Sequence, residues 1–207
     1  MTFLFVFILA YLIGSIPTAL MVGKIFFDVD IREHGSNNPG ATNTLRVLGK
    51  KAAIIVLLID VGKGALASLL PLFFHADISP FYPGLIAVIG HCFPIFAGFR
   101  GGKAIATTAG MLLIADVQLF FITYICFFLV IFISKYVFFG SLSVGMVLLM
   151  YSLMDADPKN DLIFLSFLLL LIFLHRTNIR NFINHKEPKI NDKNLAKDRI
   201  QPKKKIK

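Results

Sequence analysis

Apolar residues run through this chain in blocks of about twenty, and a short polar island closes each block. The first block, Phe3 to Gly23, would be roughly 31 Å long as a helix, enough to cross a bilayer core. Ala52 to Phe74 is the second and Phe81 to Phe99 the third. Ala104 to Ala115 is too short to cross alone unless Gly102 and Lys103 extend it. Val117 to Ser134 and Tyr136 to Met154 are full-length, and Leu162 to Leu174 is short again. The blocks predict an all-α fold, a polytopic integral membrane helix bundle of about seven transmembrane helices. Short spans imply helix ends withdrawn from the membrane surface. Gly14, Ser15 and Pro17 interrupt the first block and predict close helix packing with a kink. Met1-Thr2-Phe3 opens without a basic region, and no small-residue cleavage site follows. The first block is therefore expected to be a retained span.

Composition agrees with this pattern. Of 207 residues, 57% are hydrophobic and only 16% charged, which excludes an ordinary soluble domain. The net charge of +9 lies at the ends of apolar runs and in the tail, so it speaks for topology and anionic lipid or phosphate rather than nucleic acid. Lys24, Arg32, Arg46, Lys50, Lys51, Arg100, Lys103, Lys135 and the tail from Arg176 share one side of the predicted topology. Asp77, Asp116, Asp155, Asp157 and Asp161, with Lys159, share the other. The positive-inside rule then puts the N-terminus outside and the C-terminus in the cytoplasm. Residues 1–180 are expected to form a single transmembrane domain. Residues 181–207 would be a basic cytoplasmic tail without periodicity, solvated or touching lipid. Cys92 and Cys126 have no metal or disulfide spacing and read as buried thiols.

Three polar islands carry the candidate chemistry, and the topology brings them together on the cytoplasmic side. Ser36-Asn37-Asn38-Pro39-Gly40-Ala41-Thr42-Asn43 is a turn-forming run in which Thr42 or Asn43 would cap a short helix ending at Arg46. Asp60 and Lys63 stand three apart on one helix face inside the second block, so that face must turn to protein or a water-filled cavity. Gly62 and Gly64 would let another backbone approach there. The pair is as consistent with a structural helix clamp as with a binding role. His91, near the end of the third block, suits acid–base work. Gly101 and Gly102 before Lys103 predict positive φ and uncovered N–H groups at a helix start, an anion site. One pocket would thus hold Arg46 and Lys103 as cations, glycine N–H groups for phosphate oxygens, and a histidine. Two phosphate sites are easier to justify than one. The sequence offers no paired carboxylates for magnesium, no metal-ligand spacing, no GxxxxGK[ST] and no GxSxG, so a metal-free transfer between two phosphorylated molecules, without a cofactor, is the economical expectation.

Ser36-x-Asn38-x-Gly40-Ala41-Thr42-Asn43-x-x-Arg46, Asp60-x-x-Lys63-Gly64, and Gly90-His91-x-Phe93-Pro94 followed by Phe99-x-Gly101-Gly102-Lys103-x-x-Ala106-Thr107 resemble the three motifs of the bacterial acyl-phosphate:glycerol-3-phosphate acyltransferase family. His175-Arg176-x-Asn178-Ile179 and Glu187-Pro188-Lys189 resemble its C-terminal signature. The likeness covers nearly the whole chain in order, and the tail beyond Ile190 departs from it in length and basicity.

The resemblance implies an inner-membrane enzyme with a cytoplasmic active site. It would move a fatty acyl group from acyl phosphate to the 1-hydroxyl of glycerol 3-phosphate, giving lysophosphatidic acid and phosphate, the first acylation of phospholipid synthesis. A functional link to the enzyme that forms acyl phosphate follows. Under this resemblance Ser36 and the Gly40, Ala41, Thr42 and Asn43 backbone, beside Asn38, would hold the acyl-phosphate phosphate. Arg46 and Lys103 would clamp phosphates and count with Ser36 and His91 as catalytic residues, Asp60, Lys63, Gly101, Gly102 and Thr107 would bind substrate or phosphate, and Arg176 and Asn178 would position glycerol 3-phosphate. His91 would hydrogen-bond the attacking hydroxyl or polarise the substrate, with a substrate phosphate oxygen as the alternative proton acceptor. A transporter of an anionic solute is the rival class, against which stand the one-sided islands and the lack of an inverted repeat. A non-catalytic assembly factor would leave the islands unexplained.

Overall fold

The computed structural model describes residues 1–154, 161–192 and 199–203, and among them every regular element is helical. Asp155, Asp157 and Lys159 lie outside the described residues. The chain forms two compact units, Met1–Ala115 with Asn194–Lys207, and Asp116–Lys193.

In the first unit α1 spans Thr2–Gly14 and stops because Pro17 has no N–H to continue the ladder. The helix resumes as α2, Thr18–Val22, and widens into a π turn, Gly23–Phe27, that ends on Asp28 at φ 62°. A 3₁₀ turn, Ile31–Glu33, leads to α3, Ala41–Val47. The long α4, Lys50–Phe73, follows. Then come α5, Phe81–Cys92, a 3₁₀ turn at Ile95–Ala97, and α6, Ile105–Ala115. The third apolar block was expected to be helical to Phe99, but α5 ends at Cys92. Pro94 sterically drives Phe93 out of the helical region, to φ −128° and ψ 65°.

α4 packs on α6, α5 and α1, and α1 on α5. Small residues make these approaches possible. A Cβ at Gly64 would overlap the Thr107 carbonyl, one at Gly110 the Val61 carbonyl, and one at Gly14 the Ala87 carbonyl. The interruption at Gly14 and Pro17 thus gives both the expected close packing and a break. Gly62, expected to share this role with Gly64, faces open space instead.

The second unit contains α7, Val117–Ser134, α8, Val137–Met154, α9, Asp161–Leu174, and α10, Arg176–Ile183. Asp116 caps α7 by accepting from Leu119 N–H at 2.9 Å. α8 packs between α7 and α9, and Phe182 of α10 inserts among Tyr136, Phe138 and Phe139 with centroids 5.0–5.6 Å apart.

Among the described residues, four helical stretches are long and apolar enough to cross a membrane: Thr2–Phe27, Lys50–Phe73, Val117–Ser134 and Val137–Met154. The pair α9 and α10, bent by 54°, makes five if it counts as one span. At 12 and 11 residues, α5 and α6 are too short to cross alone. The tail is not simply solvated. Ile190 N–H donates to Lys135 O at 2.9 Å in the second unit, and Ile200 N–H to Val47 O at 2.8 Å in the first.

Candidate active site

The break between α1 and α2 builds the centre of the first unit. It leaves the Ile16 carbonyl able to face inward, where Lys63 Nζ donates to it at 2.9 Å. Two residues later Thr18 Oγ1 donates to Asp60 Oδ1 at 3.0 Å. Asp60 and Lys63, on one face of α4, pair at 2.9 Å with side chains only 2% and 4% exposed. Such a pair is tolerable in the interior only with further hydrogen bonds to its members, and the α1–α2 break supplies one to each. His91 Nδ1 stands 3.2 Å from Lys63 Nζ and 3.7 Å from Asp60 Oδ1. An ammonium donates and never accepts. His91 Nδ1 is therefore the acceptor, and the ring proton sits on Nε2.

The Gly-Gly turn works differently from its sequence reading. Gly101 N–H donates to Cys92 O at 3.2 Å and Gly102 N–H to His91 O at 3.0 Å. Both N–H groups, expected to be uncovered for an anion, thus cap the last carbonyls of α5. The positive φ expected at these glycines falls instead on Gly98, Phe99 and Ala104, at 62°, 58° and 73°. Glycine is needed for another reason: a Cβ at Gly101 would overlap the His91 carbonyl, and one at Gly102 the His91 Nε2. The turn lies flat against the histidine. Lys103 is half-buried just beyond it, while Thr107 is fully buried and its hydroxyl has no hydrogen-bond partner among the described residues.

In the first loop, α3 is preceded by Gly40 in extended conformation without a side-chain cap. Thr42 and Asn43, expected as caps, lie inside the first turn. Gly40 can occupy the cap position because it needs no Cβ room beside Asn38 Nδ2. Asn43 is buried and clamps the loop instead. Its amide donates to His34 O at 2.9 Å and Ile31 O at 3.3 Å, and its Oδ1 accepts from Ser36 N–H at 2.8 Å. Ser36 and Thr42 are exposed; Asn38, Gly40, Ala41 and Arg46 are half-buried.

One connector escaped the sequence reading, which used Arg32 only as a topology charge. Arg32 holds Asp30 in a fork, Nε to Oδ1 at 2.9 Å and Nη2 to Oδ2 at 2.7 Å, and its Nη1 donates to Ala97 O at 2.8 Å. It ties the first loop to the turn after α5. The guanidinium bond lowers the Asp30 pKa from 3.8 to about 2, against the opposing effect of partial burial. The Asp-x-Arg spacing was the available signal.

A narrow cleft of about 10 Å³ is lined among others by Asp60, His91, Arg100, Gly101 and Gly102, and the first loop reaches it through Pro39, while Ser36, Asn38, Arg46 and Lys103 are not in its lining. That is room for about one water. Arg176 and Asn178 belong to the second unit. There Arg176 donates to Phe173 O at 2.8 Å and stacks over the Phe173 ring, while Asn178 donates to Glu187 Oε1 at 2.6 Å. Among the described residues, no three His, Cys, Asp or Glu side chains group as a metal set.

The model of a family described as glycerol-3-phosphate acyltransferase matches residues 4–185. Glycerol-3-phosphate acyltransferase 2 of Bacillus cereus (strain ZK / E33L) is 49% identical over 185 residues, covering 89% of this chain and 93% of that protein. The glycerol-3-phosphate acyltransferase of Bacillus subtilis (strain 168) is 46% identical over 183 residues, covering 88% and 95%. The crystal structure of PlsY (YgiH), an integral membrane glycerol 3-phosphate acyltransferase, is similar in its glycerol 3-phosphate form with a TM-score of 0.82 at 30% identity, covering 91% of this chain and 95% of that one. Its lysophosphatidic acid form gives 0.77 at 29%, covering 90% and 94%.

Proposed function

The chain belongs to the glycerol-3-phosphate acyltransferase family, and from that premise we propose that it transfers a fatty acyl group from acyl phosphate to the 1-hydroxyl of sn-glycerol 3-phosphate, releasing lysophosphatidic acid and phosphate. The observation that carries the reading is the likeness, at a TM-score of 0.82, to a structure whose two forms are named for glycerol 3-phosphate and lysophosphatidic acid. These are the acceptor and the product of one acylation. The donor rests on the three motifs and on their resemblance to the acyl-phosphate-dependent family.

In the reaction the hydroxyl oxygen attacks the acyl carbonyl carbon, the carbon–oxygen bond to phosphate breaks, and phosphate leaves with the bridging oxygen. Ser36, Asn38 and the Gly40 to Asn43 backbone hold the acyl-phosphate phosphate and stabilise charge as it develops there. Arg46 and Lys103 neutralise the phosphates, and Arg176 and Asn178 help to position glycerol 3-phosphate. Gly101, Gly102 and Thr107 shape the wall. Asp60 and Lys63 serve the site by holding His91. Because Lys63 occupies Nδ1, His91 presents Nε2–H and acts as a hydrogen-bond donor that polarises the substrate. The hydroxyl proton then passes to a phosphate oxygen of the substrate.

In the same reading residues 1–180 form the transmembrane acyltransferase domain of a bacterial inner-membrane protein and 181–207 its basic cytoplasmic tail. Seven helices enter the membrane, with the N-terminus outside and the active site and C-terminus facing the cytoplasm, where positive residues concentrate. This side also suits supply by an acyl-phosphate-forming enzyme. The test is purified protein in detergent given glycerol 3-phosphate with palmitoyl phosphate or palmitoyl-CoA. Lysophosphatidic acid formed only from palmitoyl phosphate is the expected result. Product from the thioester alone would keep the reaction and change the donor.

A further inference from the structure

The family model stops at residue 185, yet the segment 199–203 is built into the first unit far beyond that limit. Ile200 N–H donates to Val47 O at 2.8 Å, in the last turn of α3, and Lys203 N–H donates to Phe26 O at 3.0 Å, in the π turn. These two backbone bonds fasten the segment at both ends. At the first of them the half-buried Ile200 side chain packs on a core cluster that includes Ala19, Val22, Ile31 and Val47. Lys203 Nζ also lies 3.1 Å from Asp28 Oδ1, but both side chains are largely exposed, 51% and 74%. That ion pair adds orientation more than stability.

The segment matters because of what it touches. α3 has only seven residues, too few to hold a helix by propensity alone. It depends on tertiary contacts. Asn43 fixes its first turn to the preceding loop, and Ile200 is bonded to its last turn next to Arg46. Loss of one end would let the helix fray and its arginine wander.

We propose that residues 199–203 form an intramolecular strap that holds α3, and with it Arg46, in place, with Ile200 as its anchor. The strap's part in the reaction rests on the reading of Gly40 to Arg46 as the phosphate-binding segment. Ile200 is a positioning residue; it touches no substrate.

The full-length protein tests this through hydrogen exchange of residues 41–48, with α7 as the internal control, in wild type, Ile200→Asp and Ile200→Val. Ile200→Asp should speed exchange in 41–48 about tenfold, the signature of local opening, while α7 stays protected. It should raise KM for palmitoyl phosphate more than it lowers kcat, and Ile200→Val should keep both near wild type. Unchanged exchange in 41–48, or exchange that rises equally in α7, would overturn the strap. A separate Arg46→Ala variant reports on the phosphate reading: full activity there removes that reading while the exchange result still judges the strap. Faster exchange with unchanged KM, alongside an impaired Arg46→Ala, would overturn the strap's part in the reaction.

Discussion

Lys63 Nζ stands 3.2 Å from His91 Nδ1 while it donates to Asp60 Oδ1 and Ile16 O, each at 2.9 Å. One ammonium thus spends its three protons on three separate elements. This fixes the histidine tautomer and makes the α1–α2 break part of the site. Replacing Lys63 by Met leaves Asp60 buried with Thr18 as its remaining hydroxyl donor, a loss of about 3–5 kcal/mol that thermal unfolding in detergent should register. Asp60→Asn combined with Lys63→Met should cost less than the two single changes added together, because the double variant leaves no unpaired charge. Strict additivity would mean that the two groups act independently.

Gly102 is the second point of sensitivity. A methyl group there would overlap His91 Nε2, so Gly102→Ala should displace the ring and lower kcat by about 10²-fold, the usual cost of a 1 Å misplacement. Unfolding temperature should move little. Unchanged kcat would show that the ring orientation does not matter to turnover.

Two glycines two residues apart, and so on opposite faces of α4, make a paired test of helix packing. Gly64→Ala must push α4 from α6 and should destabilise by about 1–3 kcal/mol. Gly62→Ala meets nothing within 4 Å and should be neutral or stabilising by about 0.5–1 kcal/mol through helix propensity. The relevant measurement is the unfolding midpoint of each variant, and the reverse order would refute the packing described above.

The Asp30–Arg32 fork predicts a pH effect. Its carboxyl has a folded pKa of about 2 against an ordinary 3.8. A depressed acid stabilises the folded form above its unfolded pKa, and that contribution disappears as pH falls through the folded value. Protease sensitivity of the Asp28 to His34 loop should therefore rise between about pH 4 and pH 2, and Asp30→Asn should show the same sensitivity at neutral pH. Equal protection of wild type across that window would count against the fork.

Much of this was legible in the chain. The apolar blocks located the long helices, and the boundaries of α7 were read without error, because runs of branched and aromatic residues leave no alternative in lipid. The second and third islands share a cleft that the first reaches only through Pro39, and Ser36, Arg46 and Lys103 are not in its lining. Asp60, His91, Gly101 and Gly102 line one cleft with Pro39. What sequence could not give was where individual N–H groups point. Gly101 and Gly102 looked like an anion nest because nothing in the sequence says that the turn after Pro94 folds back onto the end of α5. Asn43 looked like a helix cap, since its real partners, Ile31 O and His34 O, are set by how the loop closes. Arg32 and Ile200 were passed over for the same reason, each acting through a distant carbonyl.

The proposed reaction carries the acyl group from acyl phosphate directly to the hydroxyl of glycerol 3-phosphate. The most direct measurement uses glycerol 3-phosphate carrying oxygen-18 in its 1-hydroxyl, with unlabelled palmitoyl phosphate, and mass spectrometry of both products. The expected result is the label in the ester of lysophosphatidic acid, unlabelled phosphate in equal amount, and loss of both with Lys103→Ala. Label in the released phosphate, or phosphate release without glycerol 3-phosphate, would contradict it.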